Sequence, residues 1–368
     1  MLKKIAYSLI PLFVIFFAAE MGLRFSDWPS VPKKFEHNEP FWTVDPNLEQ
    51  KSVPHNEAIS HKERLQKKLR DLQAKADSLK SAATATPKEV SDVDKQISKT
   101  LTEIEETRTH FLVSTNEHGL RTSVKIEDLS DQFKIMTLGC STTYGWGVND
   151  AESYPARLQH YINEANIDNT LVINGGQPGY TSFQGLWLWE ETLKLYKPDV
   201  VLIGFVVQDA RQVAYTDKSQ AILQRDNRFL KDNFLYRSKV YLAMRNFIGS
   251  IQIQAKEDGQ VYRVPPADYV DNLREFVAKI KEMGSTPVLF GYPLEVSGYT
   301  AEHRKILRAA ADELDILHFD PQPDMEEASK KQRLYFIYDQ GHANASGNDV
   351  IAQWFFSFLQ EKNLLGGG

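Results

Sequence analysis

An aspartate and a histidine, Asp339 and His342, lie three residues apart near the carboxyl end of the sequence, in "FIYDQGHANASGNDVIAQWFFSFL". In a loop, this spacing lets the carboxylate accept a hydrogen bond from the imidazole. A histidine held in this way can take the proton of a hydroxyl, and the carboxylate stabilises the imidazolium that forms. The pair therefore predicts nucleophilic catalysis if the fold brings a serine to it. The other histidines, His55 among them, are predicted to be surface or packing residues.

Ser141 is the candidate nucleophile, in the stretch "IMTLGCSTTYGWGV" at residues 135–148. An apolar, strand-like run ends at Gly139, and the tight connection that follows would present the serine hydroxyl at the edge of a sheet. A serine in such a place is also a common helix N-cap, so the local sequence leaves both roles open. The Asp339 and His342 pair favours attack, because a nucleophile, a base and an orienting acid form a working set.

Two further segments could supply hydrogen-bond donors to an oxyanion. Gly179 in "INGGQPGYTS" lacks a Cβ, so its backbone N–H could approach a substrate oxygen closely. The same residues also fit an ordinary Pro-Gly turn. Gln208 in "GFVVQDA" carries a carboxamide that could donate to the oxyanion or cap the segment that follows.

These residues follow strand-like runs that alternate with helical patterns, from about residue 111 onward. Such alternation predicts parallel βαβ units, and near-continuous apolar runs predict strands covered on both faces. The fold class is therefore α/β, a three-layer α/β/α sandwich whose ligands bind at the carboxyl ends of the strands. The predicted strands are "KIMTLG", "LVINGG", "VVLIGFVV", "TPVLFGY" and "DILHFD".

Together the four segments resemble those of the SGNH/GDSL hydrolases, serine esterases and acyltransferases with a flavodoxin-like fold. The resemblance covers about residues 110–362, and "TNEHGLRT" before the first strand resembles the lead-in of membrane-anchored bacterial members. It implies that Ser141, Asp339 and His342 form a catalytic triad. It also implies an oxyanion hole from the backbone N–H groups of Ser141 and Gly179 with the Gln208 amide, and no metal or organic cofactor.

Two positions depart from the pattern of that family. Cys140 stands where the family usually has aspartate, and Gln208 stands where it has the asparagine of the oxyanion hole. The neighbour of Cys140 carries the attacking atom, so the first departure leaves the nucleophile intact. The second bears on rate, because losing one oxyanion donor costs about 10² to 10³ in turnover. Glutamine can still donate, through a side chain one methylene longer.

Composition limits the class of protein. With 368 residues, 42% of them hydrophobic and 25% charged, the chain can bury a full core. The formal net charge of -6 argues against nucleic acid as a partner. The single cysteine, Cys140, excludes an intramolecular disulfide and the usual cysteine-based zinc sites.

The amino terminus, residues 1–24, predicts a signal anchor that forms a transmembrane helix. Lys3 and Lys4 precede a largely uncharged run from Ile5 to Leu23, which at about 1.5 Å per residue roughly crosses a hydrocarbon core of about 30 Å. Cleavage is disfavoured, because cutting after Ala18 or Ala19 would place a phenylalanine at the -3 position. The lysines orient the rest of the chain outside the cytoplasm, on the periplasmic side in a bacterium with two membranes.

Three further regions follow the anchor. Residues 25–55 read as an extended linker, 56–108 as a helical coiled-coil hairpin and 109–368 as the hydrolase-like domain. The hairpin is predicted from two heptad-like series and from Pro87, which suits the start of its second helix. The hairpin either binds a partner protein or is a solvent-exposed insertion that rests on the domain. The series are Leu65, Leu69, Leu72, Ala76 and Leu79, and then Val90, Val93, Ile97, Leu101 and Ile104.

The sequence thus predicts an extracytoplasmic, membrane-tethered serine esterase or acyltransferase that works through an acyl-enzyme. A tethered enzyme outside the cytoplasm meets acylated envelope glycans, so an O-acyl ester, first of all an O-acetyl ester, is the expected substrate. Lipid esters, thioesters and acylated small molecules remain alternatives. The rival interpretation is a weakly active or inactive scaffold of the same fold that binds a glycan or a protein.

Overall fold

The computed structural model describes residues 2–26, 44–82, 84–129, 132–226, 237–244, 247 and 261–366. The chain divides into two compact units. The smaller unit comprises Met1–Trp42 and Asp209–Asp268, and the main unit comprises Thr43–Gln208 and Tyr269–Gly368. Of the predicted linker, residues 27–43 lie outside the described residues.

The helices and strands alternate along most of the main unit. The helices described here are α1 (Leu2–Phe25), α2 (Asn56–Ser81), α3 (Pro87–Glu106), α4 (Ser141–Tyr144), α5 (Tyr154–Glu164), α6 (Ser182–Glu191), α7 (Asp217–Asp226), α8 (Pro266–Glu282), α9 (Ala301–Leu314), α10 (Gln322–Ser329) and α11 (Ala345–Glu361). The strands are β1 (Lys51–Pro54), β2 (His110–Val113), β3 (Phe133–Gly139), β4 (Thr170–Asn174), β5 (Val200–Gly204), β6 (Gln212–Val213), β7 (Val261–Tyr262), β8 (Thr286–Phe290), β9 (Leu317–Phe319), β10 (Tyr335–Phe336) and β11 (Asp339–Ala343).

The smaller unit contains α1, α7 and the antiparallel pair β6–β7. Near the end of α1, the Glu20 carboxylate accepts hydrogen bonds from the Ser238 hydroxyl and from the backbone N–H groups of Lys239 and Val240. Residues 239–244 are helical, so Glu20 satisfies free N–H groups at the start of that helix.

Helix α1 covers the segment that the sequence predicts to be a membrane anchor. Within the part of the chain that the structure describes, no helix is long and apolar enough to cross a membrane. The predicted transmembrane helix is thus not supported there.

The main unit is built on a five-stranded parallel sheet in the order β4-β3-β5-β8-β9. In the order in which these strands occur along the chain, the sheet reads 2-1-3-4-5, which is the flavodoxin-like order. All five strands predicted from the sequence are confirmed. The order places the switch point next to β3, the strand that leads to Ser141.

Alternate residues of the central strands are buried on opposite faces of the sheet. Val200 and Leu202 of β5 belong to a core cluster with residues of α5 and α11, where Tyr154 stacks on Phe355 with ring centroids 5.4 Å apart. Val201 and Ile203, which point the other way, are also fully buried. Burial on both faces agrees with the predicted layered α/β fold, and it explains why these strands read as continuous apolar runs.

Helices α2 and α3 occupy the predicted 56–108 region and pack against each other. Pro87 is the first residue of α3, as predicted, and Thr86 and Glu89 form a capping box around it. The predicted seam of α3 is wrong at one position: Leu101 is 41% exposed, whereas the neighbouring Thr100 is buried. Beyond this pairing, the described residues do not support a coiled coil.

Candidate active site

Ser141 begins α4, two residues after β3 ends at Gly139. The connection is tight, because a Cβ on Gly139 would lie 2.9 Å from Cβ of Thr143. Gly145, at a φ of +84°, ends the helix, and its N–H donates to the Ser141 carbonyl at 3.0 Å. The local sequence therefore fixes the serine at the carboxyl end of the central strand.

Asp339 and His342 lie on a short strand, β11, and the predicted loop is wrong for these two residues. Strand β11 pairs antiparallel with β10: Phe336 pairs with Asp339 and Tyr335 with Ala343, with an irregular register between them. Both side chains consequently leave the same short strand, just before α11.

The structure brings the three predicted triad residues together. His342 Nε2 lies 2.8 Å from Ser141 Oγ, and His342 Nδ1 lies 2.6 Å from Asp339 Oδ2. The other carboxylate oxygen of Asp339 accepts a hydrogen bond from the Gly341 N–H at 3.1 Å. This chain of contacts can move the serine proton to an imidazole whose second nitrogen is held by a carboxylate.

Asp339 is held in its ionised form. Burial acts to raise the pKa of its carboxyl, but the neighbouring imidazoles of His342 and His55 and the Gly341 amide hold that pKa well below its usual range. The side chain of His342 is half-buried. A fixed negative charge therefore lies behind an imidazole that remains accessible to substrate.

Gly179 and Gln208 follow strands on either side of β3. Gly179 lies in the turn after β4 at a φ of +78°, where a left-handed backbone favours glycine. Gln208 is half-buried in the turn after β5, and β5 and β3 end side by side, with Gly139 opposite Gly204. Both residues thus lie at the carboxyl edge of the sheet, as Ser141 does. Their role as oxyanion donors stays a prediction.

Residues 137–350 match the family model described as the GDSL-like lipase/acylhydrolase family. The match covers more than half of the chain. The chain belongs to this family. It is accordingly an enzyme of the lipase/acylhydrolase class, and the resemblance drawn from its four sequence segments is confirmed.

Three solved structures are similar to this chain. A lipase/acylhydrolase from Enterococcus faecalis is 16% identical, with a TM-score of 0.45, over 63% of this chain and 97% of that chain. A variant of an acetyl-xylooligosaccharide esterase from Geobacillus is 18% identical, with a TM-score of 0.42, over 65% and 97%. The acetyl xylan esterase AlAXEase is 16% identical, with a TM-score of 0.43, over 62% and 100%. No match was found among curated proteins.

Arg121 organises the loop of this GDSL-like enzyme that carries the nucleophile. It comes from the "TNEHGLRT" segment, and its guanidinium is almost completely buried. Its Nε donates to Asp150 Oδ1 at 2.8 Å. Its two terminal nitrogens donate to four backbone carbonyls, one on β2 and three at or just after the end of α4. These carbonyls belong to Leu112, Tyr144, Gly145 and Val148. The segment is recognisable in the sequence, but its local pattern does not indicate this role for Arg121.

Replacing Arg121 by alanine is expected to lower the free energy of unfolding by about 3 to 5 kcal/mol, because the buried carbonyls and Asp150 lose their donor. Lysine should recover only part of this, since a compact ammonium cannot reproduce the fork of donors. Arg157 is the matched control: it pairs with Asp349 at a half-exposed site, so alanine there should cost about 1 kcal/mol or less. Urea denaturation of the three variants measures the difference, and equal losses at Arg121 and Arg157 would contradict this role.

His55 is the second residue that sequence reasoning missed. His55 is buried among aromatic rings, as predicted for a packing residue, but its Nε2 also lies 3.3 Å from Asp339 Oδ2. Glu57 is close by, and ligand-capable atoms of His55, Glu57 and Asp339 lie within 4.8 Å of one another. Nothing in the local sequence of His55 indicates this contact, since the two segments meet only in the folded chain.

Proposed function

We propose that this protein is a serine esterase or acyltransferase in which Ser141 forms an acyl-enzyme. The main observation behind this proposal is a pair of contacts made by His342. Its Nε2 lies 2.8 Å from Ser141 Oγ, and its Nδ1 lies 2.6 Å from Asp339 Oδ2. These distances suit proton transfer without rearrangement of the triad. Membership of the lipase/acylhydrolase family supports the same chemistry.

In the acylation step, Ser141 Oγ attacks the acyl carbonyl carbon while His342 Nε2 takes the hydroxyl proton. The C–O bond to the leaving group then breaks, and His342 passes the proton to the departing oxygen. Water or an acceptor hydroxyl next attacks the acyl-enzyme carbonyl and gives its proton to His342. The bond between the acyl carbon and Ser141 Oγ then breaks, and His342 returns the proton to Ser141 Oγ. Throughout, Asp339 holds the imidazole in the right tautomer and stabilises its charged form.

The negative oxygen of each tetrahedral intermediate requires donors at the sheet edge. We assign this role to the backbone N–H groups of Ser141 and Gly179 and to the side-chain amide of Gln208. Their placement at the ends of β3, β4 and β5 supports the assignment, because those ends lie side by side in the sheet. Fixed donors of this kind stabilise charge that develops only in the transition state.

Replacing Gln208 by alanine is expected to lower kcat by about 10²-fold, because one oxyanion donor is lost. Asparagine keeps an amide and should retain more activity than alanine. Turnover of a chromogenic acetyl ester by the two variants measures the effect. The assignment fails if alanine and asparagine give the same kcat as glutamine.

The proposed substrate is an O-acyl ester of an envelope glycan, first of all an O-acetyl ester, met by an enzyme tethered at the outer face of the cytoplasmic membrane. Support for this location comes from the sequence alone: Lys3 and Lys4 before the apolar run of residues 5–19. An enzyme held at the membrane would act on glycan esters that are assembled or displayed at that membrane.

Covalent labelling tests the proposed function without any assumption about the substrate. The full chain, purified in detergent, is exposed to a fluorophosphonate and its intact mass is measured. We expect one adduct on the wild type, none on Ser141→Ala, and none or far slower labelling of His342→Ala. Ser153→Ala, which removes a buried hydroxyl near the same loop, is the matched control and should label as the wild type does. A folded wild type without an adduct would favour the scaffold interpretation.

A further inference from the structure

His55 lies at the junction of β1 and α2, in a segment that precedes the family-matched residues 137–350. Its backbone is fixed on both sides. The His55 N–H donates to the Thr109 carbonyl at 2.9 Å, and its carbonyl accepts from the Ile59 N–H at 3.0 Å. These bonds tie it to the end of the β1–β2 pair and to the first turn of α2, so the imidazole has little freedom to leave its place.

The side chain of His55 is 1% exposed and packs among aromatic rings. The ring centroids lie 5.2 to 6.4 Å from that of the imidazole and belong to Phe111, Trp146, Phe336 and Tyr338. Gly147 leaves room for it, since a Cβ there would lie 3.2 Å from His55 Nε2. Aromatic walls hold the imidazole in position but do not satisfy its ring nitrogens.

A buried polar group needs a partner, and Asp339 is within reach of this one. Neither ring nitrogen of His55 makes a hydrogen bond of good geometry within the described residues. Burying such a group without a partner is unfavourable. Its Nε2 lies 3.3 Å from Asp339 Oδ2, and hydrogen bonds in catalytic sites are often long before the substrate binds.

We propose that His55 is a positioning residue whose Nε2–H donates to Oδ2 of Asp339 and fixes that carboxylate against His342. The inference rests on the proposed function, because it adds a support to the same triad. Oδ2 then serves two imidazoles, since it also lies 2.6 Å from His342 Nδ1. The amino-terminal segment thereby supplies a part of the active site that lies outside the family-matched residues.

The second imidazole also changes the electrostatics of the site. A donor on Asp339 draws off part of its negative charge, so less remains to stabilise protonated His342. Removing that donor should therefore change the pH dependence of kcat/KM. The other titratable groups next to this pair are Glu57 and Tyr338, and His61 and Arg108 lie next to Tyr338.

Two substitutions at position 55 separate positioning from packing. His55→Phe keeps the ring volume and removes the donor, whereas His55→Gln keeps an N–H donor near the place of Nε2. For the full chain in detergent with a chromogenic acetyl ester, we expect His55→Phe to lower kcat by about 10- to 100-fold with KM little changed. The acid limb of its kcat/KM profile should move to higher pH. His55→Gln should restore most of the kcat and the wild-type profile.

His61→Phe is the matched control. His61 lies on α2, which begins directly after His55, and packs on the same ring, with its centroid 5.4 Å from that of Tyr338. We expect its kcat and its pH profile to match those of the wild type. Thermal unfolding of every variant shows whether a loss of activity reflects a loss of folding.

Three outcomes would overturn the proposal. The first is wild-type activity in His55→Phe, and the second is an equal loss in both position-55 variants with no change in the acid limb, which would indicate packing alone. The third is loss of wild-type activity with EDTA and recovery with Zn²⁺, which would assign His55, Glu57 and Asp339 to a metal. Fluorophosphonate labelling of wild-type Ser141 distinguishes failure of this proposal from failure of the proposed function. An adduct supports the proposed function even if substitution of His55 has no effect. The absence of an adduct refutes both the proposed function and the positioning role of His55.

Discussion

Replacement of Ser141 by alanine is expected to lower kcat for ester hydrolysis by about 10⁶-fold. Alanine leaves His342 with no hydroxyl to deprotonate, so the acyl-enzyme cannot form. The side chain is small and its Oγ contacts His342 Nε2 at 2.8 Å, so folding should be little affected. Single-turnover and steady-state kinetics with a chromogenic acetyl ester measure the loss.

The same experiment should show that Ser141 and His342 act as a unit. Ser141 attacks only when His342 takes its proton, and His342 has no proton to take without Ser141. The double variant Ser141→Ala/His342→Ala should therefore be no slower than either single variant. Residual turnover above the rate in water would come from the oxyanion donors and from binding alone. Losses that multiply in the double variant would mean that the two residues act in separate steps.

The second prediction concerns the carboxylate behind the imidazole. Asp339→Asn is expected to lower kcat by about 10⁴-fold, because a neutral amide cannot stabilise protonated His342 and favours the wrong tautomer. Asp349→Asn is the matched control, since Asp349 pairs with Arg157 at a half-exposed place and is expected to have no effect on kcat. A loss confined to KM at Asp339 would contradict the assignment.

Asp339 should also make stability depend on pH. Its pKa is lower in the folded chain than the unfolded value of 3.8, so its stabilising contribution is complete above that value. The contribution is lost as the pH falls through the folded-state pKa. The difference in unfolding free energy between wild type and Asp339→Asn should therefore be larger at neutral pH than in strong acid, as urea titrations at the two conditions would show.

Much of the fold and the core of the site could be predicted because both depend on local patterns. The five sheet strands carry continuous apolar runs, and Ser141, Asp339 and His342 stand in short segments with recognisable spacing. In a parallel sheet such segments meet at one edge. The pattern did not show that Asp339 and His342 lie on a strand, since β11 depends on pairing with two residues of β10.

The residues that sequence reasoning missed act through distant contacts. Arg121 donates to backbone carbonyls on β2 and at the end of α4, and every residue has a carbonyl, so the sequence does not show which ones it contacts. His55 reaches Asp339 because β1 pairs with β2. The exposed Leu101 has a similar cause. The heptad pattern predicts that Leu101 faces the partner helix, but the packing of that helix buries the neighbouring Thr100 instead.

Ser141 and His342 are 201 positions apart in the chain, yet their side chains touch. Long-range contacts of this kind form late, because the intervening chain must be ordered first. During refolding, helices and strands can form before β11 contacts α4, and until that contact forms Ser141 has no base. The rate at which this enzyme regains turnover therefore reports when Ser141 and His342 come together, whereas spectroscopic signals from its helices report when secondary structure forms.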